Sequence, residues 1–152
     1  MNNQNNVFAF DIDGVFLSDV NDYTYDMKLS DAISCRLLPI FQVPSNIPYY
    51  IITSRNTTES YDTYQRFIQK LQHQPKKIFH DCDWDHEDRY DYKARILHQH
   101  PEIIKFFESE LETIEYLLQH GIDSNRLIHW DNFIQNSLLN YYDRSIKNGN
   151  EN

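Results

Sequence analysis

Four apolar residues with no turn former among them, Val7 to Phe10, run straight into Asp11, Ile12, Asp13 and Gly14. So short and so apolar a run suits a strand buried on both faces, as in parallel sheets covered by helices on either side. Residues two apart in a strand face the same way. The carboxylates of Asp11 and Asp13 therefore leave the strand end from one side and can converge as Gly14 turns the chain. Two carboxylates so placed repel each other unless a positive charge lies between them. A hard divalent cation such as Mg2+ would remove that repulsion, and open parallel α/β sheets bind ligands at this carboxyl edge.

The same unit recurs along the chain. Tyr49 to Ile52 is a second buried-strand candidate, and it delivers Thr53, Ser54 and Arg55 directly after its apolar run. The segment from Thr57 to His73 has helical spacing, with Tyr61, Tyr64, Ile68 and Leu71 on one face, Thr57 or Thr58 as N-cap and Pro75 just beyond. Lys77 to His80 is a third strand, an acidic segment (DCDWDHEDRYDY) follows, and a helix around Tyr92 to His100 contains Lys93. Ile103 to Phe107 forms a fourth strand running into Glu108, Ser109 and Glu110. A helix with Leu111, Ile114, Leu117 and Leu118 on its apolar face is then closed by Gly121. Arg126 to Trp130 is a fifth strand and Phe133 to Tyr142 a last helix, while an irregular flap and one short helix, to about Leu38, fill residues 19 to 38. Strands alternating with helices at this spacing predict right-handed crossovers and one five-stranded parallel sheet with helices on both faces, a Rossmann-like α/β domain over residues 7–146. The Asn-rich ends, 1–6 and 147–152, read as tails without chemistry.

A chain of 152 residues suits one domain and one sizeable core, since by size scaling it buries about 70% of its unfolded surface. Its 14 basic and 23 acidic residues give a formal net charge of -9, which argues against broad non-specific binding to nucleic acid or anionic membrane but leaves room for a local basic rim. Cys35 and Cys82 are too few for a disulfide framework and read as reduced thiols. With no basic, apolar start and no run near the ~20 residues of a membrane span, the expectation is a cytoplasmic protein.

An apolar strand ending in DxDG, a second ending in Thr, a Lys early in a later helix and an acidic cluster after the fourth strand stand here in one order. This order resembles the haloacid dehalogenase superfamily of aspartate-nucleophile phosphohydrolases. FAFDIDGVF looks like its first motif, YIITSR its second, DYKARIL its Lys motif and KFFESELETIEYL its fourth. The likeness spans roughly Val7 to Trp130, and the form of the last two motifs is similar to the corresponding domains of polynucleotide-end and RNA-repair phosphatases.

The resemblance implies Mg2+-dependent hydrolysis of a phosphomonoester through an aspartyl-phosphate. Asp11 would be the nucleophile, Asp13 the proton-transfer group and Lys93 the cation that neutralises Asp11 and holds the phosphoryl group. Lys76 and Lys77 compete for that last part. Thr53, with Ser54, Arg55 and Gly14, would bind substrate. Mg2+ would be held by Asp11, the Asp13 main-chain carbonyl and Glu108. The family usually follows the fourth strand with two acids; here Ser109 stands second, and Ser109 with Glu112 fits an S-x-x-E capping box. Glu108 or Glu110 would then serve the metal, or the chain would be a degenerate member of the fold kept as a binding protein. Neither interval that carries a cap domain in such enzymes is long enough for one, so the resemblance implies an open site for a macromolecular substrate such as a phosphorylated nucleic-acid end, or closure by another subunit; between a nucleotide or nucleic-acid terminal phosphate and another phosphomonoester, small molecules included, the substrate stays open. A calcium loop at Asp81, Asp83 and Asp85 is excluded by His86 and Tyr92 at its sixth and twelfth positions. His80, Cys82 and His86 lack a fourth zinc ligand, and base stacking by Tyr23, Tyr25 or Tyr90 has no support in the pattern.

Overall fold

Val7–Phe10, the first apolar run, forms β1 at the centre of a five-stranded, all-parallel sheet. The computed structural model describes residues 5–16, 42–53, 61–80, 88–130 and 142. In chain order the elements are β1, β2 (Tyr49–Ile52), α1 (Tyr61–Gln69), β3 (Lys77–Phe79), α2 (Arg89–Gln99), β4 (Ile103–Glu108), α3 (Leu111–Gln119) and β5 (Leu127–His129). A 3-10 turn, Ser124–Arg126, leads into β5. The strands lie in the order β3-β2-β1-β4-β5, so the chain winds outward from β1 first to one side and then to the other. This is the single Rossmann-like α/β arrangement expected from the alternation of elements.

Alternation along β1 divides the interior in two. Phe8 and Phe10 join Tyr49, Ile51, Phe107 and Trp130 in a core covered by Tyr64 and Phe67 of α1. Val7 and Ala9 face the opposite way, with Ile52, Phe106, and Tyr92, Leu97 and Leu117 from α2 and α3. The first layer is unusually aromatic: Phe10 stacks on Phe107 at 4.9 Å and meets Trp130 edge-on at 5.9 Å. Such pairs contribute about 0.5–1.5 kcal/mol each beyond the area they bury. Tyr142, within the last expected helix, is helical and packs edge-on against Phe8 at 5.0 Å.

The ladder between β1 and β4 is irregular in one place. Val7 is opposite Ile103, but Phe8 is opposite Lys105, so β4 contains one extra residue. Such a bulge reverses the facing of everything beyond it. Ile104 accordingly packs in the aromatic layer, whereas Phe106, only two residues on, packs on the α2 side.

Several boundaries differ from the pattern reading. The second helix begins at Arg89, not near Tyr92, because Asp88 caps it by accepting a hydrogen bond from the Tyr90 amide at 2.8 Å. The buried face of α1 includes Phe67, which that reading omitted, and Leu71 lies beyond the helix end. Gly121 has φ 87°, the left-handed conformation expected of a residue that closes α3. The flap and short helix at 19–38, Thr57 and Thr58, the acidic run 81–87, the rest of the last helix and most of both tails lie outside the described residues.

Candidate active site

Asp11 follows β1 at the carboxyl edge and is 5% exposed. Its Oδ1 accepts the Ile12 amide at 2.8 Å, and its own amide donates to the Phe107 carbonyl at 3.2 Å, so the side chain is held by the turn and the backbone by β4. Asp13, two residues on, is buried as well, and Gly14 takes φ 83°, a left-handed turn that a Cβ would strain. The backbone thereby folds back over the strand end.

Lys93 comes from α2, 82 residues away, and its ammonium donates to Asp11 Oδ2 at 3.2 Å. It also donates to Glu108 Oε1 at 2.6 Å. Glu108 ends β4, beside β1, and is 1% exposed; Lys93 is 2% exposed. Its place on α2 is secured from both ends. Asp88 caps the start, while Arg126 donates through Nη2 to the Leu97 and His100 carbonyls and through Nε to the Ile103 carbonyl, tying the helix end to β4. The ammonium also lies over the Phe106 ring, 5.6 Å from its centroid.

The electrostatics are unbalanced. Among the described residues two carboxylates, Asp11 and Glu108, share the one ammonium of Lys93, so only one of them is matched by its charge. Burial by itself would lower Lys93, but the adjacent Asp11 and Glu108 carboxylates outweigh it and hold its pKa above the ordinary value. Burial, reinforced by the Asp11 charge, pushes Glu108 up despite the opposing pull of Lys93. A carboxyl group raised in the folded state binds more protons there than in the unfolded chain between its two pKa values. The stability it contributes is fully present below about 4.3, the unfolded value. It is lost as pH rises to about 8. Metal-free protein should therefore melt lower at pH 8 than at pH 5, by on the order of 5 °C. Differential scanning calorimetry of wild type and Glu108→Gln checks this, since the Gln variant should lose most of the difference.

Thr53 directly follows β2 and is fully buried, with its amide donating to the Phe79 carbonyl at 2.9 Å. Phe10 is opposite Ile51, so Thr53 ends level with Ile12 on the adjoining strand. Asp11, Asp13, Thr53, Lys93 and Glu108 thus gather at one edge, whereas Lys76 and Lys77 lie at the far border of the sheet. Ser54 and Arg55 lie outside the described residues.

The Ser109 capping box is not formed. Glu110 holds the cap position of α3 without a side-chain cap bond. The Ser109 hydroxyl instead donates to the Asp13 carbonyl at 3.1 Å, joining the turn after β4 to the turn after β1. His129 Nε2 donates to the Ser109 carbonyl at 3.1 Å from the end of β5. Glu110 is turned away from this trio: its Oε1 accepts from Arg89, Tyr90 and Thr113 at 3.4, 3.0 and 3.0 Å. Tyr90 in turn stacks on Tyr116, a packing role. Sequence reasoning missed this group, although Arg89 lies four residues before Lys93 and so one turn along the same helix face.

Among the described residues no set of three or more His, Cys, Asp or Glu side chains is placed to hold a metal ion. Asp11 and Glu108 meet at Lys93, and the Asp13 carbonyl is tied by the Ser109 hydroxyl to the residue that follows Glu108. The carboxylates and the carbonyl all offer hard oxygens, and Mg2+ is commonly bound by one or two carboxylates and otherwise by water and phosphate. The set fits Mg2+ in kind. His80, by contrast, is stacked on Tyr64 at 4.3 Å inside the core layer. No helix among the described residues is long and apolar enough to cross a membrane. Comparison of the chain with family models, curated proteins and solved structures returns no match.

Proposed function

We propose that the protein is a Mg2+-dependent phosphomonoester hydrolase of the haloacid dehalogenase type, working through an aspartyl-phosphate on Asp11. The observation that carries the reading is the burial of Asp11 and Glu108 around the single ammonium of Lys93. A second buried carboxylate beside one ammonium takes up either a proton or a further cation, and Asp11 lies at the sheet edge where α/β folds bind ligands.

In this reading an Asp11 oxygen bonds to phosphorus while the bond to the leaving oxygen breaks, and Asp13 gives that oxygen its proton. Water then attacks the same phosphorus, its proton passes to Asp13, and the bond to Asp11 breaks to release phosphate. Splitting the displacement in two lets one positioned carboxyl act first as acid and then as base. Lys93 holds Asp11 in place and offsets charge on the phosphoryl oxygens, with Thr53 beside it. Mg2+, when bound by Asp11, the Asp13 carbonyl and Glu108, supplies further positive charge at those oxygens.

Phosphate release from a generic aryl phosphate, with Mg2+ and with chelator, tests the assignment. Glu108→Gln should lose on the order of 10^2-fold in the Mg2+-stimulated rate, whereas Glu110→Gln, whose side chain stays with Arg89, Tyr90 and Thr113, should stay within a few-fold of wild type. Equal losses in the two variants, or hydrolysis indifferent to chelator, would contradict the role given to Glu108.

A second reading, a binding protein on a degenerate version of this fold, draws on Ser109, which stands where a second acid is usual and whose hydroxyl is committed to Asp13. Calorimetric titration separates the two. No heat of binding at millimolar Mg2+ favours the binding protein.

A further inference from the structure

The turn that carries Asp13 has a point of freedom just after it. Gly14 follows at φ 83°, and a glycine passes between positive and negative φ at little cost, so the Asp13–Gly14 peptide plane can turn over unless something holds it. The bonds that close the turn bracket this plane without including it: the Ile12 carbonyl accepts the Val15 and Phe16 amides at 3.2 and 2.9 Å. The Ser109 hydroxyl does hold it, by donating to the Asp13 carbonyl at 3.1 Å.

Half-buried Ser109 is itself gripped from two directions. Its amide donates to Glu108 Oε2 at 2.9 Å, and its carbonyl accepts from His129 Nε2 at 3.1 Å. The ends of β4 and β5 are joined beside it, where the Trp130 amide donates to the Glu108 carbonyl at 2.9 Å. A hydroxyl offered from so fixed a point loses little freedom when it bonds. An acid at position 109 could not replace it. A carboxylate has no proton to donate and would set its oxygens against the Asp13 carbonyl.

We infer that Ser109 is a positioning residue for proton transfer by Asp13: by pinning the Asp13–Gly14 peptide it steadies the carboxyl borne on the same residue against the leaving oxygen. The proton transfer rests on the hydrolase reading above; the pinned turn does not. Protonation matters most when the leaving group is a poor one. An alkyl phosphate needs a proton on its departing oxygen, whereas 4-nitrophenolate leaves without one. In a covalent route kcat/KM covers only the steps through formation of the aspartyl-phosphate, where Asp13 acts as acid.

Values of kcat/KM for an alkyl phosphate and for 4-nitrophenyl phosphate, measured on the full chain with Mg2+, test the role. Ser109→Ala should lose on the order of tenfold with the alkyl ester and stay within about threefold with the nitrophenyl ester. Ser109→Thr, which keeps the hydroxyl, should restore the alkyl ester, and Ser109→Asp should do no better than Ser109→Ala. Hydrogen exchange on metal-free protein supplies a readout apart from activity. The amides of Gly14, Val15 and Phe16 should exchange about tenfold faster in Ser109→Ala, and as in wild type in Ser109→Thr, with α2 and α3 unchanged. Equal losses with the two esters, a Ser109→Ala variant as active as wild type, or a Ser109→Asp variant better than wild type overturns the positioning role and leaves the hydrolase standing. Absence of hydrolysis in wild type overturns the hydrolase reading and the proton transfer with it, and exchange alone then decides whether Ser109 pins the turn.

Discussion

Asp11→Asn should reduce Mg2+-dependent phosphate release to background, a loss on the order of 10^3-fold or more, while the protein folds as before. The amide keeps the shape of the carboxyl and can still accept the Ile12 amide that now reaches Oδ1. It cannot form a stable acyl phosphate. It also lightens the buried charge, because Lys93 then faces Glu108 as its only acidic partner among the described residues. Thermal stability at pH 8 should therefore be equal to or above that of wild type even as turnover vanishes. That opposition of signs separates loss of a nucleophile from loss of structure. Turnover that survives in a folded variant would sink the covalent route.

Lys93→Met is the second large effect, and it acts on stability as well as on chemistry. Methionine fills much of the volume of the lysine, but among the described residues it leaves two buried carboxylates, Asp11 and Glu108, without a cation. Breaking a buried ion pair from one side costs about 3–5 kcal/mol. The cost should appear in metal-free urea unfolding at pH 8 and shrink at pH 5, where Glu108, already raised by burial and by Asp11, takes up a proton. Lys93→Met/Glu108→Gln should regain most of the loss at pH 8, since one carboxylate is then gone. Activity should fall on the order of 10^2-fold in either variant, because the phosphoryl oxygens lose a donor. A penalty independent of pH, or a double variant no better than the single, would show that the lysine matters for packing alone.

The centre of the site was legible because its residues sit where strands end. Asp11 and Glu108 each follow a short apolar run, and Lys93 lies early on the helix before β4, so topology alone brings them to one edge. What pattern could not supply was the partner of each polar group. Ser109 with Glu112 satisfies the local rule for a helix cap, yet the hydroxyl bonds a carbonyl 96 residues away. Nothing local records that preference. Spacing offered both Glu108 and Glu110; Arg89, Tyr90 and Thr113, two of them from α2, hold Glu110, while Glu108 meets Lys93. Asp88 was hidden as a cap by the other acids of its segment. The border lysines were read as competitors for Lys93, since a residue's distance from the sheet edge is set by strand order, which the pattern does not contain.

The extra residue in β4 has a consequence for how this chain tolerates change. Strict alternation through IIKFFE would put Phe106 on the same side as Ile104, and with it Glu108, pointing toward α1 and away from Lys93. The inserted residue turns that carboxylate onto the side where the ammonium waits. Substitutions along β4 alter side chains one at a time, but a one-residue deletion there would invert the strand's chemistry while leaving its hydrophobicity nearly unchanged. Length, more than composition, is what this strand has to preserve.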